Sequence, residues 1–222
     1  SFKKALSMIH ARATTLHNAG VKAGDVVGLL AHNIPEFPLT LFAIWYLGGT
    51  VLLLDTNLTP FEYDNMTKTV GCKFVCAEKS FFYKAKGFKF FDIQTPDEKA
   101  DVKLKPADLK ADDVATLSFT SGSTGNPKVV PLTHGNLKCS SDCYADMGNW
   151  IHKNEIMYGF LPLYHIFGFA AGILAPMYFH MGILLQPTVN PRNILEDFKV
   201  YNPHCIPAVP RLYEVFRNKI IE

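Results

Sequence analysis

The chain begins with apolar residues at helical spacing, and this pattern predicts a helix over residues 2–17 that ends near Gly20. Short runs that are apolar at every position follow, which is typical of strands buried on both faces. These predicted strands are Val26–Ala31, Val51–Leu54, Phe74–Ala77 and Phe90–Ile93. Between them the sequence predicts one helix from Pro35 through Leu47 and another beginning at Thr59-Pro60-Phe61-Glu62, where a capping box coincides with a proline. Alternation of this kind predicts an α/β fold, with mostly parallel sheets covered by helices.

Composition changes at Thr95–Asp113, a charged stretch that we expect to be a solvated connection. The rhythm of strand and helix then resumes. The further predicted strands are Val114–Phe119, Val129–Leu132, Tyr158–Leu163, Gly182–Leu185 and Cys205–Val209. The further predicted helices run from Thr133 to about Met147, over Phe167–Phe179 and Arg192–Tyr201, and onward from Pro210. We therefore expect two sub-regions, 1–147 with the first sheet and 148–222 with the start of a second.

One apolar stretch raises the question of a membrane span. Residues 156–191 contain no Asp, Glu, Lys or Arg. A spanning helix needs about 20 apolar residues without interruption. Prolines, histidines and glycines break this stretch, so we predict a buried strand, helix and strand and no transmembrane span.

Charge and cysteine content narrow the classes of function. The formal net charge of the 222 residues is +2, without a dense basic block, so a nucleic-acid partner is not expected. The five cysteines are an odd number in a chain that shows no signal peptide, which favours reduced thiols and a cytoplasmic protein. Cys139 and Cys143 lie one helical turn apart, and we expect them to be small buried hydrophobes, because a third and fourth metal ligand are not evident.

The densest chemical signal is Thr120-Ser121-Gly122-Ser123-Thr124-Gly125-Asn126-Pro127-Lys128. Gly122 and Gly125 allow a tight backbone that approaches a ligand closely. The hydroxyl donors are Thr120, Ser121, Ser123 and Thr124, and Lys128 adds a mobile positive charge. Backbone amides, hydroxyls and one lysine directly after a strand suit a polyphosphate. A surface turn rich in serine and glycine would not need this combination.

Three better-known loops do not fit the sequence. A Walker A loop has Gly-Lys-Ser/Thr, whereas Lys128 follows Pro127 and precedes Val129. The dinucleotide fingerprint lacks its first glycine. A hydrolase nucleophile elbow is excluded because Gly122 and Gly125 are separated by two residues instead of three.

With its continuation Val-Val-Pro-Leu-Thr-His-Gly-Asn, the loop resembles the signature of the adenylate-forming superfamily, which includes acyl-CoA synthetases. One position departs from the pattern: the family usually has glycine where this chain has Val129. A second segment, Leu161-Pro162-Leu163-Tyr164-His165-Ile166-Phe167-Gly168, is similar to another motif of the superfamily and is closest to fatty-acyl-CoA synthetases. Weaker similarity, around Asn33 and at Pro207–Pro210, extends along the whole chain.

The resemblance implies roles for particular residues. Residues 120–125 and Lys128 would bind the ATP phosphates, Thr120 would contact Mg²⁺, and Lys128 and His165 would be catalytic. His165 and Gly168 would lie at the acyl pocket, although His165 taken by itself would be interpreted as a core histidine at a strand end. Ile166–Phe179 could line that pocket or be plain helix core.

The implied reaction joins ATP to a carboxylic acid, expected to be a fatty acid, and passes the acyl group to coenzyme A. A long-chain fatty acid would imply membrane association as well. The later motifs of the superfamily do not occur before Glu222, so we expect a partial N-terminal domain that is inactive alone. The alternative is an inactive nucleotide-binding or scaffolding module, for which Val129 is the only support.

Overall fold

Strand and helix alternate through most of the first part of the chain. The computed structural model describes residues 1–85, 87–120, 128–144, 151–187, 191–210, 213, 214 and 217, without the side chains of residues 191–193 and 195. The α-helices and strands up to residue 142 are α1 (Phe2–Asn18), β1 (Val26–Leu30), α2 (Glu36–Tyr46), β2 (Thr50–Leu53), α3 (Pro60–Thr69), β3 (Phe74–Ala77), β4 (Lys89–Asp92), β5 (Val114–Thr120), β6 (Lys128–Thr133) and α4 (His134–Asp142). The predicted α/β class is confirmed.

The six strands of the first sheet lie in the order β4-β3-β1-β2-β5-β6. All neighbouring pairs are parallel except β5 and β6, which are antiparallel. The apolar runs are buried on both faces because helices cover both. Leu29 belongs to the cluster that contains α1 and α2, whereas the adjacent Leu30 belongs to the cluster that contains α3. Since β1 leads into α2 and its neighbour β2 leads into α3, the chain leaves these strands toward opposite faces.

The second sheet consists of β7 (Ile156–Gly159) and β8 (Gly182–Leu185), which pair in parallel. Between them lie α5 (Ile166–Phe169), a π-helical segment (Ala170–Leu174) and α6 (Ala175–Tyr178); α7 (Pro191–Tyr201) follows β8. The predicted strand, helix and strand in this apolar stretch are therefore confirmed. Within the described residues, no helix combines the length and apolar character that crossing a membrane requires.

The helix after His165 is largely core. Phe169 and Ile173 are fully buried in the same cluster as α1 and α2, and the Phe169 ring lies 6.1 Å from that of Trp45. Ile166 and Phe167, in the first turn, are 41% and 50% exposed. The core interpretation therefore accounts for the interior of this helix, and its first turn remains accessible to a ligand.

Three sequence expectations need correction. Cys205–Val209 is not a strand, since Cys205 forms only an isolated bridge to Met157. The predicted strand Tyr158–Leu163 ends at Gly159 because the following residues are held by a side chain instead of a neighbouring strand. Cys139 and Cys143 are exposed and not buried, because they lie on the solvent side of α4 and at its end.

The buried cysteines are Cys72 and Cys76, where burial raises the pKa of the thiols to about 11 and about 12. Both thiols are therefore neutral at physiological pH.

The charged connection before β5 is mostly exposed, but it is also tied to the first helix. Arg12, only 4% exposed, pairs with Asp97 and donates to Thr40 Oγ1 and to the Ile93 carbonyl, both at 2.8 Å. A buried guanidinium needs such partners. Arg12 therefore joins α1, α2 and the residues after β4.

Candidate active site

A hairpin of β5 and β6 places Thr120 and Lys128 opposite each other. Their Cα positions are directly paired in the antiparallel ladder, and both residues are exposed. Directly paired residues project to the same face of a sheet. The predicted phosphate-loop residues Ser121, Gly122, Ser123, Thr124 and Gly125 belong to 121–127, which lies outside the described residues. The structure thus describes the two ends of this loop and brings them together.

The face on which these two side chains lie follows from the strand alternation. Leu117 and Phe119 contact the cluster of α3, whereas Leu132, on β6, contacts the cluster of α1 and α2. Leu132 pairs with Thr116, and two-residue steps along the ladder lead to the pair of Thr120 and Lys128. Thr120 and Lys128 therefore lie on the face covered by α1, α2 and the helix after His165.

Val129, the departure from the superfamily pattern, is an ordinary strand residue. It lies within β6 and pairs with Phe119. β-Branched side chains suit a pleated strand. Its presence is explained by the strand and gives no support to an altered loop.

The carboxyl edge of the first sheet carries a group of polar residues. β2 ends at Leu53 and is followed by Asp55, Thr56 and Asn57. Asp55 accepts from the backbone N–H of Asn57 at 2.7 Å, which closes a turn directly beyond the strand. Because β2 and β5 are parallel neighbours, this turn lies at the same edge of the sheet as Thr120.

Tyr164 and His165 reach this edge from the second sheet. The amide of Asn57 donates to the Tyr164 hydroxyl at 3.3 Å, and the rings of Tyr164 and His165 are 4.7 Å apart. Burial is the main factor that raises the pKa of Tyr164. His165 is exposed, so the core-histidine interpretation is wrong, and its ring is available to a ligand beside the first turn of α5.

Gly168 has a steric reason to be glycine. A Cβ atom at this position would lie 2.1 Å from the Pro162 carbonyl oxygen and 3.1 Å from that of Leu161. The close contact lets α5 begin directly against the turn that precedes it, where the His165 N–H donates to the Pro162 carbonyl at 3.1 Å. Gly168 therefore shapes the segment that carries His165.

One polar residue of this region has a role that was not predicted from the sequence. Asn33, three residues beyond the end of β1, is 4% exposed and contacts the segment that leads to His165. The stretch around Asn33 is only weakly similar to the superfamily. Its sequence does not reveal the role of this asparagine, because the hydrogen-bond partners lie 126–130 residues away.

His134, at the start of α4, fixes the other end of the hairpin. Thr133 caps the helix in a capping box with Asn136, and the His134 N–H donates to the Asp113 carbonyl at 3.0 Å. The imidazole lies 5.0 Å from the Trp45 ring, and its buried Nε2 has no hydrogen-bond partner among the described residues. Desolvation lowers the pKa of His134 below 6.5, and Asp113 opposes that shift.

This lowered pKa predicts a loss of stability in mild acid. The unfolded chain takes up a proton near pH 6.5, whereas folded His134 resists it, so the free energy of unfolding falls as the pH drops below 6.5 toward the folded pKa. We expect His134→Phe to remove part of this fall in urea unfolding at pH 8 and pH 5.5. The exposed His17 provides the matched control, because His17→Phe should keep the wild-type difference. Equal pH dependence in His134→Phe and wild type would contradict this assignment.

Comparisons with known proteins identify the family of the chain. Residues 1–220 match the AMP-binding enzyme family, and the chain belongs to that family. A 4-coumarate–CoA ligase of Humulus lupulus is 28% identical over 220 residues, which cover 89% of this chain. The matched part is 40% of that ligase, so the chain spans well under two thirds of the relative's length.

Solved structures show the same fold. The O-succinylbenzoate coenzyme A synthetase of Bacillus subtilis in complex with AMP has a TM-score of 0.87 at 24% identity, covering 99% of this chain and 58% of the synthetase. The N-terminal domain of FACL13 from Mycobacterium tuberculosis also has a TM-score of 0.87, at 18% identity, covering 98% of this chain and 57% of that domain's chain. The predicted fold of an adenylate-forming N-terminal domain is thereby confirmed.

Proposed function

We propose that the full-length protein is an AMP-forming acid–CoA ligase, to which this chain contributes the ATP-phosphate grip and part of the acid pocket. The observation that carries the proposal is the hairpin: Thr120 and Lys128 face each other at the carboxyl edge of the first sheet, on the face shared with the helix after His165. Residues 1–147 and 148–222 would act as two sub-regions of one partial domain. Since the chain spans 40% of its ligase relative, we expect these residues alone not to form an acyl-adenylate.

Formation of the acyl-adenylate depends mainly on neutralisation of the negative charge of ATP. A carboxylate oxygen attacks the α-phosphorus of ATP and pyrophosphate leaves, although the nucleotide repels an anionic nucleophile. A lysine at the base of the loop and hydroxyl and amide donors within it would offset that repulsion. Within the described ranges, no cluster of three or more His, Cys, Asp or Glu residues could hold a metal. The exposed Thr120 hydroxyl would help to hold Mg²⁺, since hard oxygen ligands are those that this ion prefers, and the ion would neutralise charge on the phosphates.

The second half of the reaction would transfer the acyl group to coenzyme A, with AMP as the leaving group. We propose an acid with an apolar body. Ile166 and Phe167 are exposed beside His165, where they could contact such a body while His165 lies near the carboxylate. A fatty acid fits this surface, and so does an aryl acid such as the one in the name of the Humulus lupulus ligase.

Exchange of labelled pyrophosphate into ATP tests the proposal. The full-length protein is incubated with ATP, Mg²⁺ and a panel of aliphatic and aryl acids. We expect exchange that depends on the acid, with the best acid identifying the substrate class. Absence of acid-dependent exchange across the panel, in protein that is folded and binds ATP, would favour the inactive binding module instead.

A further inference from the structure

The buried side chain of Asn33 takes the place of a neighbouring strand. Its amide nitrogen donates to the carbonyls of Gly159 at 3.3 Å and Leu161 at 2.8 Å, and its oxygen accepts from the Leu163 N–H at 3.0 Å. The three bonded residues alternate along the segment that continues from β7 through a bend at Leu161 into the turn before α5. An asparagine amide carries the donor and acceptor of a peptide group, so it can satisfy this backbone as a strand would.

Asn33 lies at the edge of the first sheet where neighbouring strands connect to helices on opposite faces. β1 leads to α2 on one face, and the adjacent β2 leads to α3 on the other, which makes their carboxyl ends a topological switch point. Asn33 follows β1, and Asn57, which contacts Tyr164, follows β2. The segment 159–165 is therefore docked at the switch point by one asparagine from each side.

The bonds to Asn33 end two residues before His165. Beyond them the chain is fixed again, since the His165 N–H bonds to Pro162 and the His165 carbonyl accepts from Phe169 at 2.9 Å. Leu163, between these contacts, is fully buried. The backbone of His165 consequently has its position set on one side by Asn33 and on the other by the first turn of α5.

We propose that Asn33 is a positioning residue for the acid site: it sets the register of 159–165 and thereby the place of His165. The proposal rests on the proposed function of His165 at the acid pocket. Asn33 acts through the backbone and touches no reacting atom. Removal of the Asn33 hydrogen bonds should therefore raise KM for the acid much more than KM for ATP. The reason is that the two ends of the phosphate loop belong to β5 and β6, which Asn33 does not contact.

The discriminating variant is Asn33→Asp, which keeps the shape and the acceptor for Leu163 but removes both donors. In the full-length protein we expect KM for the preferred acid to rise about tenfold or more, because the buried Leu161 carbonyl loses its partner and the Gly159 carbonyl keeps only the Gln186 N–H. KM for ATP should stay within about twofold. Asn33→Gln, which retains donors and acceptor on a longer stem, should be intermediate. The control is Asn18→Asp, the same change at an exposed bond to Glu98, and it should behave as wild type.

Amide hydrogen exchange distinguishes a failure of the proposed function from a failure of the positioning proposal. In Asn33→Asp we expect faster exchange confined to peptides covering residues 159–165, and this readout does not require catalysis. Faster exchange in a protein that activates no acid would refute the proposed function and leave the positioning intact. Unchanged exchange, equal increases in both KM values, or failure of both variants to fold would overturn the positioning proposal.

Discussion

Replacing Lys128 by methionine is expected to lower kcat/KM for acid-dependent exchange between ATP and pyrophosphate by about 100-fold or more. Lys128 begins β6, is exposed and lies opposite Thr120, so its backbone is fixed at the base of the loop that joins them. Methionine keeps most of the length of the side chain and removes the ammonium with its charge and its donors. The lower kcat/KM should therefore result from lost charge stabilisation around the phosphates, while the hairpin stays folded.

The matched control is Lys138→Met, ten residues further along the chain. Lys138 forms an exposed ion pair with Asp142 on α4, an interaction that contributes little to stability. We expect this variant to retain wild-type exchange, and both variants to retain the wild-type urea midpoint. A Lys128→Met protein with exchange within about threefold of wild type would contradict the phosphate role, given the size expected for a positioned charge.

Gly168→Ala is expected to have the largest effect on stability. The added methyl would lie 2.1 Å from the Pro162 carbonyl oxygen and 2.8 Å from its carbon, both backbone atoms that no side-chain rotation can move away. Relief requires the turn before His165 to separate from α5. We expect the free energy of unfolding to fall by about 3 kcal/mol, at the upper end of what overpacking costs, with a raised KM for the acid in the folded fraction.

Gly182→Ala is the corresponding control. Gly182 lies in β8, in the same part of the chain, but its added Cβ would meet nothing closer than 3.7 Å. The urea midpoints of the two variants therefore compare a methyl group that overlaps backbone atoms with one that makes ordinary van der Waals contacts. Equal midpoints for Gly168→Ala and Gly182→Ala would show that α5 does not pack closely on the turn before His165.

Local signals explain why most elements could be predicted. The capping box of Thr59 and Glu62, with Pro60 at the first helical position, is present at the start of α3 as expected. The apolar run Phe74–Ala77 coincides with β3 because it is buried on both faces of a parallel sheet. Signals of this kind are carried by adjacent residues, so they need no knowledge of the rest of the fold.

Features that depend on distant partners could not be predicted in the same way. The run Cys205–Val209 looks like a strand, but only Cys205 finds a bridging partner. The exposure of Cys139 and Cys143 depends on which side of α4 meets the core, which their spacing does not reveal. The role of Asn33 is set by three backbone groups more than 120 residues away. For the site itself, the motif indicated the ligand class, and the pairing of Thr120 with Lys128 required the sheet.

The central claim is that a carboxylate oxygen attacks the α-phosphorus of ATP at this site. An acid labelled with ¹⁸O in its carboxylate, incubated with the full-length protein, ATP, Mg²⁺ and coenzyme A, tests it directly by mass spectrometry of the products. We expect AMP that carries one ¹⁸O atom, together with unlabelled pyrophosphate. Release of ADP with the label in inorganic phosphate, or of AMP without label, would contradict it.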